Sequence, residues 1–167
     1  MKAVLRSGLS RLIPLPPPFG KSTKRAAERV QPGGLPWLPI AEGLDLKLLH
    51  ISEETGFWTT LTRLHPGALF PRRWQLTASE CYVVKGQGSY HRGQAFQAND
   101  FIYEHNGSFQ TEMTAQDEVL LIKVNYGPWA FVGPDDSVQR IWDAGAIREL
   151  CGEQAGSDAT LCAACVI

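Results

Sequence analysis

From Phe57 to Leu64 apolar and polar side chains alternate. Trp58, Thr60, Thr62 and Leu64 share one face, and Phe57, Thr59, Leu61 and Arg63 share the other. Period two predicts a β-strand. Similar runs recur at Leu44 to Ile51, Cys81 to Val84, Phe101 to Glu104, Phe109 to Thr114 and Glu118 to Asn125. Within the last, Val119-Leu120-Leu121-Ile122 is continuously apolar, the pattern of a strand covered on both faces. Turn pairs punctuate these runs: Pro66-Gly67, Lys85-Gly86, Arg92-Gly93, Asn99-Asp100 and Asn106-Gly107. Short strands at this spacing predict an all-β sandwich or barrel. The pattern changes at both ends. Met1 to Ile13 interleaves Val4, Leu5, Leu9, Leu12 and Ile13 with Lys2, Arg6 and Arg11, as a short amphipathic helix would, until Pro14 and Pro16-Pro17-Pro18 stop it. Asp143 to Cys151 predicts one helix with Asp143 as its N-cap. The expected organisation is a basic, proline-rich leader over 1–34, a barrel over 35–150 and a loose tail over 151–167.

Charge adds a division between leader and domain. The 167 residues carry a net charge of −1, so no overall signature for nucleic acid exists. Residues 1–30 nevertheless hold seven Lys/Arg against Glu28 alone, and the remainder is −7. That leader fits either a disordered extension of a cytoplasmic protein, which we favour, or a mitochondrial transit peptide. No apolar run has the length of a membrane span. The four cysteines, Cys81, Cys151, Cys162 and Cys165, form no disulfide framework, which favours a reducing compartment. Cys162 and Cys165 have metal-like spacing, but one pair cannot complete a tetrahedral site.

Candidate chemistry centres on Gly67 to Gly86. Along its first strand Arg73 and Gln75 point the same way, and Glu80, Tyr82 and Val84 form a second same-face set. This stretch resembles the first motif of the cupins: Gly, five residues, His-x-His, three or four residues, Glu, then a run to Gly. Gly67, Glu80 and Gly86 fit, while Arg73 and Gln75 stand at the histidine positions. Asn99 to Gln110 resembles the second cupin motif, with Gln110 at its histidine. The resemblance covers roughly residues 40 to 145. Phe101 to Glu104 and Gly127-Pro128-Trp129-Ala130-Phe131 look most like the group with 2,4'-dihydroxyacetophenone dioxygenase, acetylacetone-cleaving enzymes and cupin anti-sigma factors.

The resemblance implies an all-β fold: a single cupin barrel (double-stranded β-helix, jelly roll) with a short C-terminal helix. It also implies a degenerate metal site. Arg73 is a cation and cannot ligate, and Gln75 and Gln110 are weak ligands for transition metals. No metal is therefore expected, unless an atypical set such as His105 with Glu80 or Glu112 admits Fe or Zn; His65 and His91 are expected near barrel ends. Arg73 and Glu80 are the candidate catalytic pair, Arg73 holding a carboxylate or enolate oxygen and Glu80 acting as base. Alternatively they form an interior ion pair that fills the barrel. Gln75, Tyr82, Tyr103, Gln110 and Glu112 are the candidate substrate-binding residues, with Trp74 nearby. Three functions stay open: metal-independent acid/base chemistry on a carbonyl or aromatic, polyketide-like compound; a non-catalytic ligand-binding or regulatory role; and a dioxygenase with atypical ligands. The expected partners are a small molecule and a second copy of the chain, not nucleic acid.

Overall fold

Alternation along the chain is what divides this protein into a filled interior and an exposed outside. The computed structural model describes residues 29–155 except Glu53 and Arg92. The leader before residue 29, the tail from residue 156 and the Cys162–Cys165 pair lie outside the described residues.

The strands are β1 (Leu38–Ala41), β2 (Leu44–Ile51), β3 (Trp58–Leu64), β4 (Leu69–Phe70), β5 (Arg73–Gln75), β6 (Ser79–Lys85) and β7 (Gln87–Tyr90). They continue as β8 (Ala95–Gln97), β9 (Phe101–Glu104), β10 (Phe109–Gln110), β11 (Met113–Ala115), β12 (Val119–Asn125), β13 (Trp129–Val132) and β14 (Val138–Trp142), followed by helix α1 (Ala144–Ala155). A six-stranded sheet has the order β1-β2-β3-β12-β6-β9. Two four-stranded sheets have the orders β10-β5-β13-β14 and β4-β11-β7-β8. Every pairing is antiparallel.

One core joins the three sheets. Leu46, Trp58, Leu64, Val83 and Leu121 of the large sheet pack with Phe70, Met113, Trp129 and Phe131 of the smaller ones. Trp129 is its hub, with ring centroids 6.2 Å from Trp58, 6.0 Å from Phe70 and 5.0 Å from Phe131. Asp143 caps α1 as expected, its Oδ1 accepting from the Ala146 N–H at 2.8 Å. The helix runs one turn beyond Cys151, and Ile147, Leu150 and Cys151 bury against the core. None of the described helices is long and apolar enough to cross a membrane.

Two expectations are corrected. Phe109 to Thr114 is not one strand, because the chain turns at Thr111-Glu112 and passes from one small sheet to the other. Val119 to Ile122 is covered on one face only. Val119 and Leu121 are buried, whereas Ile122 faces outward from a strand held between β3 and β6. At the β6–β7 junction Gly86 is required, since its φ is +86° and a Cβ there would lie 2.3 Å from the Glu118 carbonyl oxygen.

Candidate functional site

Polar positions on β5, β6, β9 and β12 share the interior face with apolar ones. Arg73 and Gln75, two apart on β5, are both buried, as their spacing predicts. On β6 the inward residues are Ser79, Cys81 and Val83. Glu80 therefore lies on the opposite face, where its carboxylate bonds the Tyr126 hydroxyl and raises that phenol's pKa. The register explains the reversal: turning Glu80 inward would expose Cys81 and Val83 and bury Tyr82 and Val84. The expected Arg73–Glu80 pair is thus replaced by a different carboxylate.

That carboxylate is Glu104, reached from β9. Its Oε1 accepts from Arg73 Nη2, and its Oε2 accepts from Gln75 Nε2, Lys123 Nζ and, at 2.7 Å, Ser79 Oγ. Lys123, from β12, also donates to Ser79 Oγ at 2.9 Å and lies 3.6 Å from Cys81 Sγ. The side chains of Arg73, Glu104 and Lys123 are each no more than 3% exposed. Burial alone would push the Glu104 carboxyl up, but Arg73, Lys123 and the donated hydrogen bonds outweigh it and hold the pKa at about 2. Burial likewise opposes the charge on Arg73, yet Glu104 keeps its pKa above the usual value. Burial pushes the Cys81 thiol up, against the pull of Lys123.

The cluster holds two cations and one anion, and one of the cations is under-bonded. Arg73 Nε and Nη1 have no acceptor in good hydrogen-bond geometry, and the Tyr90 hydroxyl is the protein group that interacts with the free side of the guanidinium. The guanidinium carbon sits 4.2 Å from the Phe70 ring centroid. Phe70, Tyr90, Ile102, Met113 and Leu121 close around the charges and leave a volume of about 0 Å³. The barrel centre is therefore filled, not hollow. Next to it is a mouth cavity of about 280 Å³ bounded by Tyr90, Gln94, Phe109, Gln110 and Thr111. Tyr90 lines both spaces.

The remaining expected site residues divide between mouth and outside. Gln110 is the register partner of Arg73 and lines the mouth, its Nε2 donating to Ser108 Oγ at 2.9 Å. Glu112 lines an adjoining recess with Arg72 and His91. Tyr82 and Tyr103 are on the outer face of the large sheet, with the Tyr82 hydroxyl donating to Asn99 Oδ1 at 3.0 Å and the Tyr103 ring 4.8 Å from that of His105. Trp74 is also outside, edge-on to Phe109. Glu104, Lys123, Ser79 and Cys81 were missed in the sequence. A period-two reading of Val119, Leu121, Lys123 and Asn125, and of Ile102 with Glu104, would have found the two charged ones.

These residues do not fit a divalent metal. Arg73 and Lys123 put two positive charges at the centre against one carboxylate. Among the described residues no three His, Cys, Asp or Glu side chains converge on a metal-sized site. His65 bonds Asp45 at 2.9 Å, and His50 packs on Phe57.

The topology and the motif positions meet in one comparison: the sequence model of the ChrR cupin-like domain matches residues 25–130. The chain belongs to this cupin family. Three solved cupins share its fold. An acetylacetone dioxygenase from Acinetobacter johnsonii superposes with a TM-score of 0.68 at 19% identity, over 79% of this chain and 94% of that one. A putative acetylacetone dioxygenase from Methylibium petroleiphilum gives 0.71 at 22%, over 80% and 99%. An RmlC-like cupin protein from Ralstonia eutropha gives 0.70 at 16%, over 81% and 91%. No curated protein matches the sequence. At these identities the likeness establishes the fold, and the cupin's chemistry has to be argued from its own residues.

Proposed function

We propose that this cupin binds a small carboxylate, or the enolate of a β-dicarbonyl compound, at Arg73 without a metal. The observation that carries the reading is the pair of unpartnered N–H donors on a guanidinium that is 1% exposed. Buried donors of this kind are costly unless an acceptor reaches them. One bound anion would also balance the excess positive charge of the cluster. Planar guanidinium suits a carboxylate or enolate oxygen better than an ammonium does. The mouth cavity, at about 280 Å³, lies at the lower end of ligand pockets, so the compound is small. Access to Arg73 requires the Tyr90 ring to swing aside. Burial and the Glu104 charge raise the Tyr90 pKa, so its hydroxyl stays protonated and can donate to the same ligand.

Glu104 is not the base of an acid/base mechanism, because a carboxylate with a pKa of about 2 is too weak a base near neutrality and its oxygens already accept from four donors. Enolisation remains as the catalytic form of the proposal, with Arg73 stabilising the enolate and Glu112 as base. Glu112 suits that role because its recess shares Phe109 and Thr111 with the mouth.

The test is a thermal-shift and calorimetric screen of short carboxylates and β-dicarbonyl compounds, with hydrogen–deuterium exchange at the acidic carbon as the readout for enolisation. At least one compound should stabilise the wild type, and Gln110→Leu, which leaves the ion cluster intact, should weaken it about tenfold. A screen in which no compound shifts the wild type, or binding that Gln110→Leu and Arg73→Lys both leave unchanged, would sink the proposal. Added Fe(II) or Zn(II) should alter neither quantity.

A further inference from the structure

The chain ahead of β1 lies on the outer face of the large sheet. The Pro32 carbonyl accepts from Lys47 Nζ at 2.7 Å, and the Trp37 ring stands 4.8 Å from that Nζ and 4.0 Å from the Arg63 guanidinium carbon. This cover leaves Lys47 only 7% exposed. Register carries its position straight across the sheet. Lys47 pairs with Leu61, Leu61 with Ile122, Ile122 with Tyr82, and Tyr82 with Phe101. Beyond Leu61 the row is open: Ile122, Tyr82 and Phe101, with Val84, Tyr103 and Tyr126 beside them, are each between 39% and 62% exposed. We infer that the leader covers this row, the apolar positions Val4, Leu5, Leu9, Leu12 and Ile13 of its first thirteen residues seating on Ile122, Tyr82 and Phe101.

Four arguments select the leader as the occupant. The first is continuity. The described chain starts at residue 29, within about 10 Å of the Pro32 contact, so the leader departs from the near end of the open row. The second is length. Four strand spacings of about 4.8 Å make the row from Lys47 to Phe101 about 19 Å long. Thirteen residues wound as a helix measure about 20 Å. The fifteen residues from Pro14 to Glu28 reach up to about 50 Å, which is ample for the connection. The third is charge. Residues 1–30 hold seven Lys/Arg against one acid. The acid amid the open face is Glu80, set between its register partner Tyr103 and Tyr126, whose hydroxyl bonds it. A carboxylate flanked by two aromatic rings suits a guanidinium, which pairs with the one and stacks on the others. Lys85, the cation at one end of the face, is already paired with Glu118 at 2.9 Å. The fourth is concentration. A tether of this kind holds the leader beside the face at about millimolar effective concentration, which a free partner of equal affinity does not reach at micromolar levels. The leader is on this account a part of the folded surface.

The experiment is hydroxyl-radical footprinting of the full-length protein at about 1 and 50 μM, far below the effective concentration of a tethered segment. The wild type is compared with a leader variant carrying Leu5→Asp, Leu9→Asp and Leu12→Asp. In the wild type Tyr82, Phe101, Tyr103 and Tyr126 should be protected equally at both concentrations. Burial of leucines is what holds the leader down, so the leader variant should raise their reactivity about threefold or more. Trp74, on the outer face of a different sheet, should not change. Trypsin reads the other side of the contact: cleavage after Arg6 and Arg11 should be about tenfold faster in Phe101→Arg and in Ile122→Lys than in the wild type. The leader variant alters no residue of the barrel, so it decides the question if a barrel variant fails to fold. Equal reactivity of the four residues in the wild type and the leader variant overturns the inference. So does protection that grows between the two concentrations, as a second copy would produce, or a change at Trp74 as large as that at the tyrosines. Cleavage indifferent to both barrel substitutions overturns it as well.

Discussion

Glu104→Ala is expected to destabilise the fold by about 3–5 kcal/mol, the range for removing one partner of a buried charge pair. The loss is large because the residue is, among the described residues, the one anion that two buried cations share. Without it Arg73 and Lys123 face each other in an interior that, among the described residues, holds no other acid, and a neutral water in the space left by the side chain would not replace the carboxylate's charge. Gln75 and Ser79 would lose their acceptor as well. The opposite expectation holds for removing all the charge at once. Arg73→Met, Glu104→Leu and Lys123→Met combined should retain the wild-type stability or exceed it, since neither cation nor anion then has to be stripped of water. Urea unfolding followed by tryptophan fluorescence measures both. A single Glu104→Ala change worth less than about 1 kcal/mol would mean that the interior is hydrated and the cluster looser than its hydrogen bonds indicate.

The same carboxylate sets the second large effect, a loss of stability in acid. Its folded pKa is about 2, against 4.5 for an ordinary glutamate. A depressed pKa means that folding favours the ionised form. The stabilisation is thus fully present above pH 4.5 and disappears as pH falls through about 2. Over that window it amounts to about 3 kcal/mol. Asp45 and Asp135 are shifted in the same direction, so the wild type alone does not isolate Glu104. The informative comparison is with Glu104→Gln. It should be less stable at neutral pH and should show a shallower decline in acid. Equal slopes for the two proteins between pH 4.5 and 2 would refute the assignment.

How much of this was legible beforehand depends on what each residue's neighbours are. The strand pattern of Trp58 to Leu64 was sufficient because the run is rich in aromatic and β-branched residues and its partners β2 and β12 pair with it along its whole length. Arg73 and Gln75 were placed correctly on a shared face because only local periodicity was needed. Glu80 was placed on the wrong face. The cupin spacing allows three or four residues before the acidic position, and the residue after three is Ser79, whose side chain the register turns inward. Nothing local separates the two choices, since that decision is made by Cys81 and Val83 burying against strands far along the chain. Glu104 was hidden for a related reason: at the end of a four-residue strand beside a turn, a charged residue reads as a solvated cap. The presence of Arg73, 31 residues earlier, and Lys123, 19 residues later, makes it an interior group.

The interior cluster also fixes when it can form. Its hydrogen bonds join residues 31, 29, 25, 19 and 44 positions apart, and they draw on β5, β6, β9 and β12. The Ser79–Glu104 bond needs only the β6–β9 pair, but the cluster is complete only when β5 and β12 have docked as well. We expect the cluster to be completed on the native side of the folding barrier, so that Glu104→Ala speeds unfolding and leaves the folding rate nearly unchanged in stopped-flow measurements. Contacts made after the barrier slow escape from the native state without hastening arrival. What the buried charges govern is how long a molecule stays folded once it has folded.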